Sequence, residues 1–300
     1  MKVVFLFAFC FACPRILFAQ SDTGIQNLRQ RIIHEFSSQK GTFALAFKDV
    51  KTGKQLLIND KEVFHAASTM KTPVMIEVFR QAHAKKFSLE DSIIIKNEFK
   101  SIVDSSLYSL DSTDDSEREL YKHLGAKRSI YQLVYDMIIS SSNLATNIVI
   151  EKVGAVNVTK TMRSYGADNI NVLRGVEDQK AYDKGLNNTT TTYDLMLIFE
   201  RLAKGKAVNK KASQAMINIL FDQKFNTIIP AQLPKDVKVA HKTGYITGIH
   251  HDSGIVFLVD GRKYVLVMLS KNIEEEDKAI KAMANVSGMI YEYMVALRKK

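Results

Sequence analysis

The sequence predicts an α+β protein, with one antiparallel sheet flanked by helices from the two chain ends and an all-helical part built from the middle. Three observations lead there. Apolar runs bounded by turn residues lie near both ends, at 42–58 and 237–269. From Leu89 to the 210s, apolar residues recur mostly at helical spacing. Both ends also carry amphipathic stripes long enough for surface helices. The 300 residues, 46% hydrophobic and 25% charged, are enough for one large domain with a real core.

The elements follow in order. Lys2 and the apolar run Val3–Cys13 read as a secretory signal, too short to span a bilayer, with cleavage after Ala19. Residues 1–19 are thus read as a signal peptide and 20–300 as the folded domain, with 20–67 and 216–300 forming the α/β part and 68–215 the helical part. Lipid attachment at Cys13 fits less well, because the residues before Ala12 suit it poorly. Cys10 and Cys13 are the only cysteines, so the cleaved chain would have no disulfide and no thiol chemistry. Ile25, Leu28, Ile32, Ile33 and Phe36 mark a first helix. Thr42–Phe47 and Gln55–Ile58 read as strands joined at Gly53. The segment from Thr69 to about His83 is a helix apolar enough to be buried on most sides. Ile130–Ile139, Ala145–Val153, Val158–Tyr165 and Tyr193–Leu202 are further helices. The acidic stretch Ser101–Glu119 reads as a surface insertion, and 169–188 as a long structured loop. Val237–Thr243, Gly254–Val259 and Lys263–Leu269 read as three strands, the last two joined at Asp260-Gly261. A final helix runs from about Glu275 to Arg298.

The net charge is +10, and loss of residues 1–19 would remove Lys2 and Arg15 and no acid, leaving +8. Lys and Arg are scattered, which reads as a solvated basic surface rather than a nucleic-acid interface and suits an anionic substrate. No later segment is apolar enough for a stable membrane span. The seven histidines form no metal-ligand pattern; His250-His251-Asp252 are merely adjacent. Nothing asks for more than a monomer.

The chemistry lies in three short motifs. Ser68-Thr69-Met70-Lys71 sets a hydroxyl and an amine one helical turn apart, the arrangement in which a base can activate a serine nucleophile. Serine also favours helix N-caps, so the motif alone is ambiguous. Ser141-Ser142-Asn143 opens a later helix, where capping is again the plain alternative. Lys242-Thr243-Gly244 closes a strand. In that order, on those elements, the chain resembles the penicillin-recognising serine hydrolases, and within them the class A β-lactamases. The likeness covers essentially the whole chain after the signal segment.

The resemblance implies a β-lactamase/transpeptidase-like fold, no cofactor, and a β-lactam or D-Ala-D-Ala peptide as substrate. It implies that Ser68 is acylated, with Lys71 as its hydrogen-bond partner and candidate base. Ser141 would relay a proton to the leaving nitrogen. Asn143 would bind the substrate's side-chain amide. Lys242 and Thr243 would hold its carboxylate, and Gly244 would allow close approach. The backbone N–H groups of Ser68 and Tyr245 would form the oxyanion hole. Glu177 would activate the deacylating water. Here the chain departs from the class A pattern. Two residues rather than one separate Arg174 from Glu177, Ala181 replaces the expected Asn, and Ser142 replaces an Asp. The plain alternative for Glu177 is an ion pair with Arg174. Three readings follow: an exported, periplasmic β-lactamase; a D-Ala-D-Ala carboxypeptidase with slow deacylation; and a catalytically silent penicillin-binding module.

Overall fold

A computed structural model describes residues 23–297; the signal segment 1–19 lies outside the described residues. The central sheet has five antiparallel strands. Two come from the N-terminal side, β1 (Thr42–Asp49) and β2 (Gln55–Ile58). Short two-residue and three-residue strands follow in the middle of the chain: β3 (Phe64–His65), β4 (Ser92–Ile94), β5 (Phe99–Lys100), β6 (Leu107–Tyr108), β7 (Lys127–Ser129) and β8 (Thr189–Thr190). They pair outside the main sheet, β3 with β8, β4 with β7 and β5 with β6. The C-terminal side adds β9 (Lys238–Ile246), β10 (Ile249–Phe257) and β11 (Lys263–Lys271), and the sheet order is β2-β1-β11-β10-β9. The first and last strands in sequence are therefore direct neighbours, with Thr42 opposite Lys271 and Asp49 opposite Tyr264.

Side chains alternate across these strands, and both faces are buried. On one face Phe43, Leu45, Phe47, Leu266 and Met268 pack against α1 (Thr23–Ser37) and α9 (Glu276–Ala296), the two terminal helices. On the other face the small Ala44 and Ala46, with Val265 and Val267, let the helical part come close. That part contains α2 (Lys71–His83), α3 (Ile130–Ile139), α4 (Asn143–Val153), α5 (Ala155–Ser164), the short α6 (Gln179–Asp183), α7 (Thr192–Ala203) and α8 (Lys210–Phe221). The double burial explains why β11 is a continuous apolar run rather than an alternating one. Among the described residues no helix is long and apolar enough to cross a membrane.

Two sequence expectations need adjustment. The division at 215/216 falls inside α8. The stretch from Leu89 to Ser129, expected to be mostly helical around its insertion, carries short strands and a 3-10 turn at Glu119–His123. Its carboxylates account for part of this. Asp104, Asp111 and Asp115 each accept a backbone N–H two residues on, from Ser106, Thr113 and Glu117. Such local bonds compete with helix formation.

Gly254 shows how tightly β10 lies on β9. A Cβ there would sit 2.5 Å from His241 Cβ and 2.6 Å from Ala240 O. Gly254→Ala is therefore expected to cost about 1–3 kcal/mol, seen as a fall of several degrees in Tm by calorimetry. An unchanged Tm would show that the two strands can separate without loss.

Candidate active site

The 3-10 turn Ala67–Met70 leads directly into α2 and carries Ser68. Neither the turn nor α2 has a side-chain cap, so the capping role open to Ser68 is not taken up. The turn is held from several sides. Ala67 N–H donates to His65 Nδ1 at 3.0 Å, and Ala66 N–H donates to Asn188 O at 2.8 Å. His251 Nε2 reaches His65 O at 2.9 Å, and burial pushes its imidazole down to about 4, so it stays neutral. Ala67 itself lies in the left-handed region, at φ +44°.

Lys71 begins α2, one turn after Ser68, and is fully buried. Its ammonium donates to Ser141 O at 2.7 Å, to Ser141 Oγ at 3.2 Å and to Asn143 Oδ1 at 3.0 Å. These bonds run to the Ser141-Ser142-Asn143 turn rather than to the Ser68 hydroxyl expected from sequence. From the other side the equally buried Lys242 donates to Ser141 Oγ at 3.1 Å and to its own neighbour's carbonyl, Thr243 O, at 2.9 Å. The Ser141 hydroxyl thus accepts from two lysines, which leaves its own hydrogen available for donation. Burial lowers the Lys71 pKa to about 7, against the opposing pull of Asp115 and Glu177. Burial also takes Lys242 well below its usual value, helped by Lys71 and opposed by Asp252.

Asn143 joins the two halves of the site. Its Oδ1 accepts from Lys71, and its Nδ2 donates to Glu177 Oε1 at 2.8 Å. The amide assigned from sequence to the substrate is therefore engaged within the protein. Burial raises the Glu177 carboxyl, and the Asn143 bond partly offsets this. Glu177 makes no ion pair with Arg174, whose guanidinium donates instead to Leu186 O, Gly175 O and Asn187 Oδ1. Glu177 and Ser141 both have left-handed backbones, at φ +61° and +56°. Together with Ala67 they place three strained residues around one point, a pattern typical of functional sites.

Gly244 brings β9 against Ser68, where a Cβ would lie 3.2 Å from Ser68 N. Tyr245 follows, largely exposed, with its ring 4.9 Å from that of His250. Two connected hollows meet at Ser68, Asn143 and Tyr245. One extends past Val176, Glu177 and Tyr182; the other passes Ser141, Thr243 and Phe225.

Sequence reasoning missed three supporting residues. Asn147, buried on α4, clasps the loop by accepting from Val176 N at 2.7 Å and donating to Val176 O at 3.1 Å. Its place four residues after Asn143, on the same helix face, was the available signal. Asp178 fastens the loop to the 101–119 segment through Ser101 Oγ at 2.8 Å and Ile102 N at 2.9 Å. Asp115, read as part of a surface insertion, is buried at the start of α4 and accepts from Asn143 N and Leu144 N. No local pattern marks the last two.

The family and the fold both have known counterparts. The family model described as the beta-lactamase enzyme family matches residues 26–294. A beta-lactamase of Bacteroides uniformis is 24% identical over 90% of this chain and 92% of its own length. Beta-lactamase VEB-1 of Pseudomonas aeruginosa is 22% identical over 91% and 92%. Among solved structures, a PBP-A mutant captured as its acyl-enzyme with penicillin G superposes with TM-score 0.77 at 26% identity, covering 92% of this chain and 98% of its own. The extended-spectrum beta-lactamase TLA-3 shares the fold at TM-score 0.80 and 20% identity, over 90% and 99%.

If the neutral Lys71 amine takes the proton of Ser68, the acylation rate should rise about tenfold per pH unit and level off above about pH 7. A flat stopped-flow profile between about pH 5 and about pH 8 would exclude that role. The same group gives a stability trend. Its folded value lies below the unfolded 10.5, so its contribution is present above 10.5 and is lost as pH falls to about 7.

Proposed function

The chain belongs to the beta-lactamase enzyme family, and on that premise we propose that it is a class A-like serine β-lactamase working through an acyl-enzyme on Ser68. The observation that carries this reading is the convergence on one hydroxyl, Ser141 Oγ, of two buried lysines from α2 and β9, with Glu177 joined to Lys71 through Asn143.

Ser68 Oγ attacks the lactam carbonyl carbon and gives its proton to the Lys71 amine. The oxyanion accepts from the backbone N–H groups of Ser68 and Tyr245. The C–N bond breaks, and the nitrogen takes a proton from Ser141, which regains one from the lysines beside it. Lys242 and Thr243 hold the substrate carboxylate. Glu177 then takes a proton from water, the hydroxide attacks the ester, and Ser68 leaves with that proton restored. The raised Glu177 carboxyl supports its use as a base. The apolar run Val3–Cys13 supports an exported, periplasmic location.

A second reading has its own support. Ala181, buried on α6, offers no side-chain amide to help hold a water, and the likeness to PBP-A extends over 92% of this chain. That reading is a D-Ala-D-Ala peptidase that acylates readily and deacylates slowly.

Turnover of a penicillin and a chromogenic cephalosporin, followed together with intact mass, separates the two. Rapid turnover without a lasting adduct is expected for the β-lactamase; a stable adduct on Ser68 indicates the peptidase. Ser68→Ala should show neither, and an adduct in that variant would overturn the nucleophile. Glu177→Gln should acylate normally and accumulate adduct, with turnover down by about 10²–10⁴-fold. Unchanged turnover would remove Glu177 from the reaction.

A further inference from the structure

The acidic stretch before α3 supplies a contact that the motifs do not contain. Asp115 is almost fully buried, at 3% exposure. Its Oδ2 accepts from Asn143 N at 2.9 Å, Leu144 N at 3.0 Å and Tyr121 Oη at 3.0 Å, and its Oδ1 from Glu117 N at 3.0 Å. The first two donors are N–H groups at the start of α4 that have no partner within the helix. A carboxylate is favoured there by the helix dipole. The next residue works on the opposite side of the turn: Ser116 Oγ donates to Ser140 O at 2.7 Å. Ser116 and Asp115 therefore bracket 140–144, and the strained Ser141 lies between their two attachments.

We infer that Asp115 is a positioning residue for acyl transfer, holding through the start of α4 both Ser141 in its strained backbone and the Asn143 amide that links Lys71 to Glu177. The inference rests on the proposed acylation of Ser68. It also explains the Ser at position 142. That hydroxyl caps Ala145 N at 3.2 Å, while the negative charge at this helix start comes from Asp115.

Asp115 also acts through its field. The charged groups that bear on Lys71 are Asp115 and Glu177, which favour its protonation, and Lys242, which opposes it. Glu177, in turn, feels Asp115 and Asp114. Removing the Asp115 charge leaves Lys71 with less reason to hold a proton, so its amine becomes neutral at lower pH.

The test is the pre-steady-state acylation rate of the full-length mature protein by a penicillin against pH, with intact mass and Tm measured alongside. For Asp115→Asn the acid limb should move down by at least half a pH unit, and the plateau rate should fall tenfold or more because the turn is less well held. A folded Asp115→Asn variant with the wild-type limb and plateau overturns the inference. So does a lowered Tm with both kinetic features unchanged, which is a purely structural role. If Asp115→Asn does not fold, Ser116→Ala decides. A fivefold or greater loss of acylation rate at wild-type Tm supports the bracket, and a wild-type rate overturns it. Failure of the wild-type protein to form any adduct is a different result, because it removes the acyl-transfer reading itself.

Discussion

Two lysines are buried around one serine hydroxyl, and much of the surrounding structure answers the cost of that arrangement. Burying one ammonium without compensation is expensive, and a second beside it adds repulsion. The protein supplies acceptors at close range: the Ser141 hydroxyl and carbonyl, the Asn143 amide oxygen and the Thr243 carbonyl. It also supplies anions at longer range, in Asp115, Glu177 and Asp252. The residual penalty lowers the proton affinity of both lysines, which is what an amine needs to act as a base near neutral pH. The same electrostatics that strain the fold make the proposed chemistry available.

The donors and acceptors of this cluster come from three separate elements. Lys71 is set by α2, Lys242 by the sheet, and Ser141 and Asn143 by the start of α4. Glu177 hangs from a loop clasped by Asn147 and pinned by Asp178. The 101–119 segment reaches both the loop and the start of α4, so it ties the loop of Glu177 to the helix that carries Asn143. Gly175 fits this packing, since a Cβ would come within 2.3 Å of Asn147 Oδ1.

Much of this was legible in the residues. Ser68 with Lys71, and Lys242 with Gly244, declare themselves because their chemistry depends on neighbours in sequence. The sheet strands and long helices follow from apolar periodicity, and their observed bounds differ by only a few residues. Glu177 could be found by position, though its spacing from Arg174 is unusual, and the Arg174 pairing open to it is absent because that guanidinium is taken by loop carbonyls and Asn187. Asp115 and Asp178 were not legible. Each does its work across tens of residues, in a stretch whose polarity resembles solvated surface. The partners of Lys71 were equally hidden, because spacing within α2 fixes where the amine starts but not which turn it meets.

The pairing of β1 with β11 has a consequence for how the chain is made. Thr42 emerges from the ribosome more than two hundred residues before its partner Lys271. Until then β1 has only the four-residue β2 beside it, and the apolar face that will meet the helical part has no complete sheet to belong to. Ser68 and Lys71 are likewise synthesised long before Lys242. Lys71 and Ser141 therefore wait for the second lysine, and the sheet closes only when nearly the whole sequence is present. Such non-local closure folds slowly.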